Sequence, residues 1–127
     1  MNLEKVVFGF FVLLAASLNL GFFLGDIDDP VQHAPIELYA AVVVNLIATV
    51  LKFGDRTQLG AVHLATSLVA DLQLIAATVL LVYATGQPGG ISPAEMTSVV
   101  SLSGGALLAN LVAVVLLVVD TVSYRRR

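Results

Sequence analysis

Asn45-Leu46-Ile47-Ala48-Thr49-Val50-Leu51-Lys52-Phe53-Gly54-Asp55-Arg56-Thr57-Gln58 decides how this chain folds. Its first half closes an apolar run that begins near Ile36. Its second half carries Lys52 and Arg56, a glycine and two capping side chains, and a new apolar run starts at Leu59. Gly54 suits the end of one helix, and Asp55 or Thr57 suits the cap of the next. So short a connection makes the two runs antiparallel neighbours.

Working outward, the chain holds four such runs, at approximately 6–25, 36–53, 59–84 and 96–122. Each is near the roughly 20 residues that cross about 30 Å of hydrocarbon. The 127 residues are 58% hydrophobic and 12% charged, with a mean hydropathy of +0.97. A soluble chain of this size could not hide that much apolar surface, because small domains keep a large share of their surface in water. The fold class is therefore all-α: a polytopic membrane protein, an antiparallel four-helix transmembrane bundle. Residues 1–127 form a single transmembrane domain, with helices at about 4–25, 35–53, 57–85 and 93–123. Leu14-Ala15-Ala16-Ser17 loosely resembles a signal-peptide cleavage site, but the apolar run continues to Leu24, so the first helix is expected to stay.

The six basic residues orient the bundle. Lys5 precedes the first run, Lys52 and Arg56 lie between the second and third, and Arg125, Arg126 and Arg127 follow the fourth. All share one side, which the positive-inside rule makes cytoplasmic, with both termini there. The opposite side is acidic: Asp26, Asp28, Asp29 and Glu37, then Glu95. Gln87-Pro88-Gly89-Gly90 is a turn. Ser92-Pro93-Ala94-Glu95 is a helix start, with a capping serine, a proline at the first position and a glutamate at the third. The fourth helix is long, and Ser103-Gly104-Gly105 is its expected bend.

Asn45–Leu51 matches Asn110–Leu116 at five of seven positions, and Leu14–Leu18 matches Leu64–Leu68 at four of five. Two tandem helical hairpins are one reading; chance matching within a small apolar alphabet is the other.

Each helix carries a polar residue inside the membrane: Asn19, Asn45, Asp71 and Asn110. Helical spacing puts them on small-and-polar stripes. These are Gly9, Ala16, Asn19 and Asp26 on the first helix; Ala41, Asn45, Ala48, Thr49 and Lys52 on the second; Ser103, Ala106, Asn110, Ala113 and Asp120 on the fourth. Small residues let helices approach and polar ones bond across them. On the third helix His63, Thr66, Ser67, Ala70, Gln73, Ala77 and Thr78 cover a broad face. Asp71 and Gln73 sit at its two edges and are expected to meet different neighbours.

A mid-membrane carboxylate is costly and is usually paired, protonated or on an ion pathway. Asp71 is thus the leading candidate for a cation or proton site, with Asn45 and Asn110 as hydrogen-bond partners and Asn19 and Gln73 nearby. The competing reading is a protonated Asp71 that locks the bundle. His63, about 12 Å along the helix axis from Asp71, would extend a proton path to the cytoplasmic side or simply bond a neighbour. Asp26, Asp28, Asp29 and His33 would gather cations outside, without the spacing of a calcium loop; a solvated acidic loop is the plainer reading.

The stretches Asn2–Phe11, Asn45–Gln58 and Ser67–Leu74 resemble a family of short, uncharacterised bacterial inner-membrane proteins. That resemblance implies a bacterial inner membrane and no known activity. Small multidrug-resistance transporters share the size, but their essential glutamate lies in helix one, where this chain has Leu13, Leu14 and Ala15. Voltage-sensor domains share an acidic third helix, but their spaced arginines are missing here before Arg125.

Zero cysteines exclude thiolate metal sites and cysteine nucleophiles. No nucleophile-with-base pattern or phosphate loop supports an enzyme, and no cofactor, metal or nucleic-acid partner is expected. Two functions remain. One is a small oligomeric cation or proton channel or transporter; an oligomer is needed because four helices packed on their own side chains leave no water-filled pore. The other is a non-conducting accessory or assembly subunit of a larger membrane complex. The expected partners are the lipid bilayer, further copies or a larger complex, and a monovalent cation or proton.

Overall fold

The computed structural model describes residues 3–55 and 57–125, with side chains through residue 122. It contains four α-helices and, among the described residues, no strand: α1 (Leu3–Phe23), α2 (Pro35–Lys52), α3 (Gln58–Thr85) and α4 (Pro93–Arg125). All four are long and apolar enough to cross a membrane. This is the pattern of a multi-pass membrane protein.

The helix ends follow from local chemistry. Leu24 still donates to the Leu20 carbonyl, and Gly25 then leaves the helical region at φ +105°. Thr57 caps α3 by accepting from the Gly60 amide at 2.9 Å. Ser92 and Glu95 form a reciprocal capping box at the start of α4, with Ser92 N–H to Glu95 Oε1 at 3.0 Å and Glu95 N–H to Ser92 Oγ at 3.1 Å. Gly89 and Gly90, at φ +85° and +74°, make the reversal before it.

The helices pack as a ring in chain order: α1 against α2 and α4, α3 against α2 and α4. The end bearing Lys5 and Lys52 is called the basic end below, and the end bearing Asp26 and Glu95 the acidic end.

In a bilayer, apolar side chains gain little by leaving lipid for one another, so close packing of small residues matters more. The buried alanines trace that seam: Ala15, Ala41, Ala48, Ala70, Ala77, Ala84, Ala106, Ala109 and Ala113. The acidic half is filled by a dry cluster that includes Phe22, Leu38, Leu74, Leu81, Met96, Val99 and Val100. A smaller cluster of Phe8, Val12, Ala48 and Ala113 fills the basic half. Phe10, Leu72, Val79 and Val115 face outward, each at least 60% exposed.

α4 stays helical through Ser103-Gly104-Gly105. The two glycines make room, Gly104 for the Phe23 ring and Gly105 for the Gln73 amide.

The lengths are unequal. α2 has 18 residues, about 27 Å at 1.5 Å each, whereas α3 has 28, about 42 Å. Thr49 of α2 bonds Asp71 of α3. Measured from that bond, both helices run 14 residues toward the acidic end, to Pro35 and Thr85. Toward the basic end α2 runs only 3 residues further and α3 runs 13. The shortfall opens an open-sided cavity of about 680 Å³ beside the end of α2, lined by Glu4, Lys5, Phe8, Leu51, Lys52 and Asp55 among others.

Candidate functional site

The stripes expected on α2 and α4 are the buried ones. Ala41, Asn45, Ala48 and Thr49 are buried on α2, and Ser103, Ala106, Asn110 and Ala113 on α4. Asn19 on α1 is fully buried, while Asp26 lies beyond the helix in the loop. The polar side chains form separate contacts between neighbouring helices, not one closed ring.

Asp71 is 6% exposed. Its partner is not an asparagine: Oδ2 accepts from the Thr49 hydroxyl at 2.5 Å, and Oδ1 is buried without a partner. The Thr49 oxygen also lies 2.9 Å from the Asn45 carbonyl, one turn back. A hydroxyl has one proton, so it serves either that carbonyl or the carboxyl at any moment. Asn45 spends an amide proton on the Ala41 carbonyl of its own helix, at 2.9 Å, and is a turn nearer the acidic end than Thr49. Asn110 leaves Nδ2 buried and unpartnered. Because Gly105 meets Gln73 and the helices are antiparallel, Asn110 stands about level with residue 68. It is thus within a turn of Asp71 along the axis.

Asn19 and Ser103 tie α1 to α4, the serine hydroxyl donating to Asn19 Oδ1 at 2.5 Å. Asn19 Nδ2 is unpartnered, as are Gln73 Oε1 and Thr78 Oγ1. Asp71 and Gln73 do meet different neighbours, Asp71 on α2 and Gln73 on α4.

His63 is 2% exposed, and neither ring nitrogen has a partner. Its ring packs edge-on against Phe8, centroids 5.1 Å apart. Lys52 Nζ lies 4.3 Å above the same Phe8 ring and 3.3 Å from Asp55. Lys5 pairs with Asp120, joining the ends of α1 and α4. Asp55 accepts from the Thr57 hydroxyl at 2.6 Å and its N–H at 2.9 Å. Those two bonds, hydroxyl first, pull its carboxyl down to about 2.

The acidic loop is built differently from a cation site. The Gln32 amide donates to Asp29 at 2.9 Å and Asp26 at 3.2 Å, and its oxygen accepts from the Asp26 N–H at 2.7 Å. Asp28 is exposed. His33 meets none of the three carboxylates: it is 1% exposed, with Nδ1 2.5 Å from the Phe22 carbonyl and Nε2 2.7 Å from the Asp26 backbone carbonyl. Its role is to clasp the loop to the end of α1. Among the described residues no three His, Asp or Glu side chains converge as metal ligands.

Thr49 and Ser103, the two hydroxyls that bond the membrane-embedded Asp71 and Asn19, are what residue type alone did not flag. Both lie on stripes read from the sequence, but helical spacing within one chain segment does not say which helix each stripe meets.

A family model matches residues 32–121, which cover α2, α3 and most of α4 with Asn45, Thr49, His63, Asp71 and Asn110. The chain belongs to this family of unknown function (DUF6394). The stretches at 45–58 and 67–74 fall inside the DUF6394 match, and the stretch at 2–11 falls outside it. No curated protein and no solved structure matches the chain.

Proposed function

We propose that this DUF6394 chain is a small cation or proton transport protein of a bacterial inner membrane, working as an oligomer with its basic end cytoplasmic and Asp71 as its ion or proton site. The observation that carries the proposal is the state of Asp71. It is buried, has a single neutral donor, leaves one oxygen unpartnered, and forms no ion pair among the described residues. A charge at the bilayer centre costs about 2.5–3.5 kcal/mol even on the lowest scales. A carboxyl kept there without a cationic partner is best explained by a mobile ion or proton that visits it. The unpartnered Oδ1 is the atom such a visitor would meet. Thr49 can turn its proton toward Asn45 or toward Asp71 and so accommodate both states. The positive-inside rule supports the orientation.

The reading of a non-conducting assembly subunit is favoured by a different observation. Thr49–Asp71 and Asn19–Ser103 each bridge two helices, as plain packing bonds do. Liposomes separate the two. Purified protein is reconstituted alone, and flux of protons, Na⁺ and K⁺ is followed under imposed gradients, with Asp71→Asn alongside. Flux abolished by Asp71→Asn supports transport. No flux under any gradient sinks it in favour of the assembly role, and equal flux from Asp71→Asn removes Asp71 from the mechanism.

A further inference from the structure

We infer that Asp71 is reached from the basic end alone, along a polar stripe of α3 formed by His63 and Ser67. The inference rests on the reading of Asp71 as a functional site and adds the side from which its ion or proton comes.

His63, Ser67 and Asp71 are spaced four residues apart, so they stack on one face of α3 with about 6 Å of rise between them. All three are buried, at 2%, 5% and 6% exposure. Both His63 nitrogens and Asp71 Oδ1 have no protein partner, and Asn110 Nδ2, unpartnered too, stands within a turn of Asp71 along the axis. Buried polar atoms without protein partners are where interior water sits, since a water needs several such groups to stay. Four of them lie along this short stretch of the bundle.

The stripe ends under the cavity left by the short α2. Phe8 lines that cavity and packs against His63, and Lys52 Nζ lies over the Phe8 ring. Phe8 is thus the residue that touches both His63 and the basic-end cavity.

Toward the acidic end the same helix changes character. Leu74, Ala77 and Leu81 are buried there at no more than 2% exposure. They close against Phe22, Leu38, Met96, Val99 and Val100 in one apolar cluster. Thr78 adds one unpartnered hydroxyl beside it. Asn19 Nδ2 and Gln73 Oε1 are unpartnered on this side too, on the seams of α1 and α3 with α4, but Phe22, Leu81, Met96, Val99 and Val100 of the plug lie nearer the acidic end than either.

The chain has no cysteine, so single thiols report without background. Ser67→Cys is nearly isosteric, and Leu74→Cys sits just beyond Asp71 in the plug. Leu3→Cys, in the cavity lining, is the positive control. Full-length variants in sealed vesicles of known sidedness are exposed to Ag⁺, a thiol-reactive ion of single-atom size, from one side. The ion is quenched, the protein unfolded in detergent, and surviving thiols counted with a fluorescent maleimide. Ser67→Cys is expected to react from the basic side at least tenfold faster than from the acidic side, with Leu74→Cys slow from both. Reaction of Ser67→Cys from the acidic side, its protection from both sides while Leu3→Cys reacts, or fast reaction of Leu74→Cys from the acidic side would each overturn the inference. The readout needs no transport. One-sided reaction without flux leaves the route standing and removes the function, and Asp71-dependent flux with a protected Ser67→Cys does the reverse.

Discussion

Thr49→Val is the sharpest probe of the bond at the centre of the bundle. Valine keeps the shape of threonine and removes only the hydroxyl that Asp71 Oδ2 faces at 2.5 Å. Since Oδ1 is already unpartnered, the variant leaves a buried carboxyl with no side-chain donor at all. Stranding a buried polar group costs about 1–3 kcal/mol. Interhelical hydrogen bonds in membranes run lower, at about 0.6–2 kcal/mol, so the expectation for Thr49→Val is on the order of 1 kcal/mol. Asp71→Leu removes the half-satisfied carboxyl and replaces it with apolar bulk. It is expected to be neutral or stabilising, because the Thr49 hydroxyl left behind keeps the Asn45 carbonyl as its acceptor and nothing is stranded. In that background Thr49→Val has no carboxyl left to strand. The coupling energy of the double-mutant cycle is thus expected to be about 1 kcal/mol. The assay is reversible unfolding of the four proteins in mixed detergent, followed by circular dichroism. A cost for Thr49→Val that is the same with and without Asp71 would refute the bond's role in packing α2 on α3.

Other expectations follow from single contacts. Gly104→Leu should destabilise the α1–α4 contact by about 1–3 kcal/mol, as overpacking does. Even a Cβ at that position would lie 2.9 Å from Cε1 of the Phe23 ring, and a lowered unfolding midpoint checks it. His33→Ala should release the end of α1, seen as faster amide exchange over residues 22–26, because both ring nitrogens hold carbonyls there. The Asp55 carboxyl, held at about 2 by Thr57, lies below the ordinary value of about 3.9. Its contribution is therefore full above about pH 4 and fades as pH falls through about 2. Thr57→Ala should cost about 1 kcal/mol as a lost helix cap. The stability gap to the parent protein should narrow between pH 5 and pH 2.

The helices, their antiparallel order and most buried faces were legible because hydrocarbon thickness and helical periodicity act within one segment of sequence. The Ser92–Glu95 cap and the Thr57 cap are local chemistry of the same kind. Pairings between helices were not legible. Asn45 was expected to hold Asp71, but the register of α2 on α3 puts Thr49 there, and Asn45 turns to Ala41. His33 looked like a companion of the loop aspartates, yet its ring nitrogens lie against the Phe22 and Asp26 carbonyls at the end of α1. The likeness between 14–18 and 64–68 did not carry over to faces either, since Ser67 is buried and Ser17 exposed. That Gly104 and Gly105 admit side chains from α1 and α3 was not legible either.

The central claim is that the carboxyl of Asp71 carries an ion or proton across the bilayer. It is tested most directly by flux into liposomes holding the parent protein, Asp71→Glu or Asp71→Asn at equal density. The account predicts flux from the parent, partial flux from Asp71→Glu, which keeps the carboxyl, and loss of at least tenfold in Asp71→Asn. Flux from Asp71→Asn equal to the parent's would contradict it.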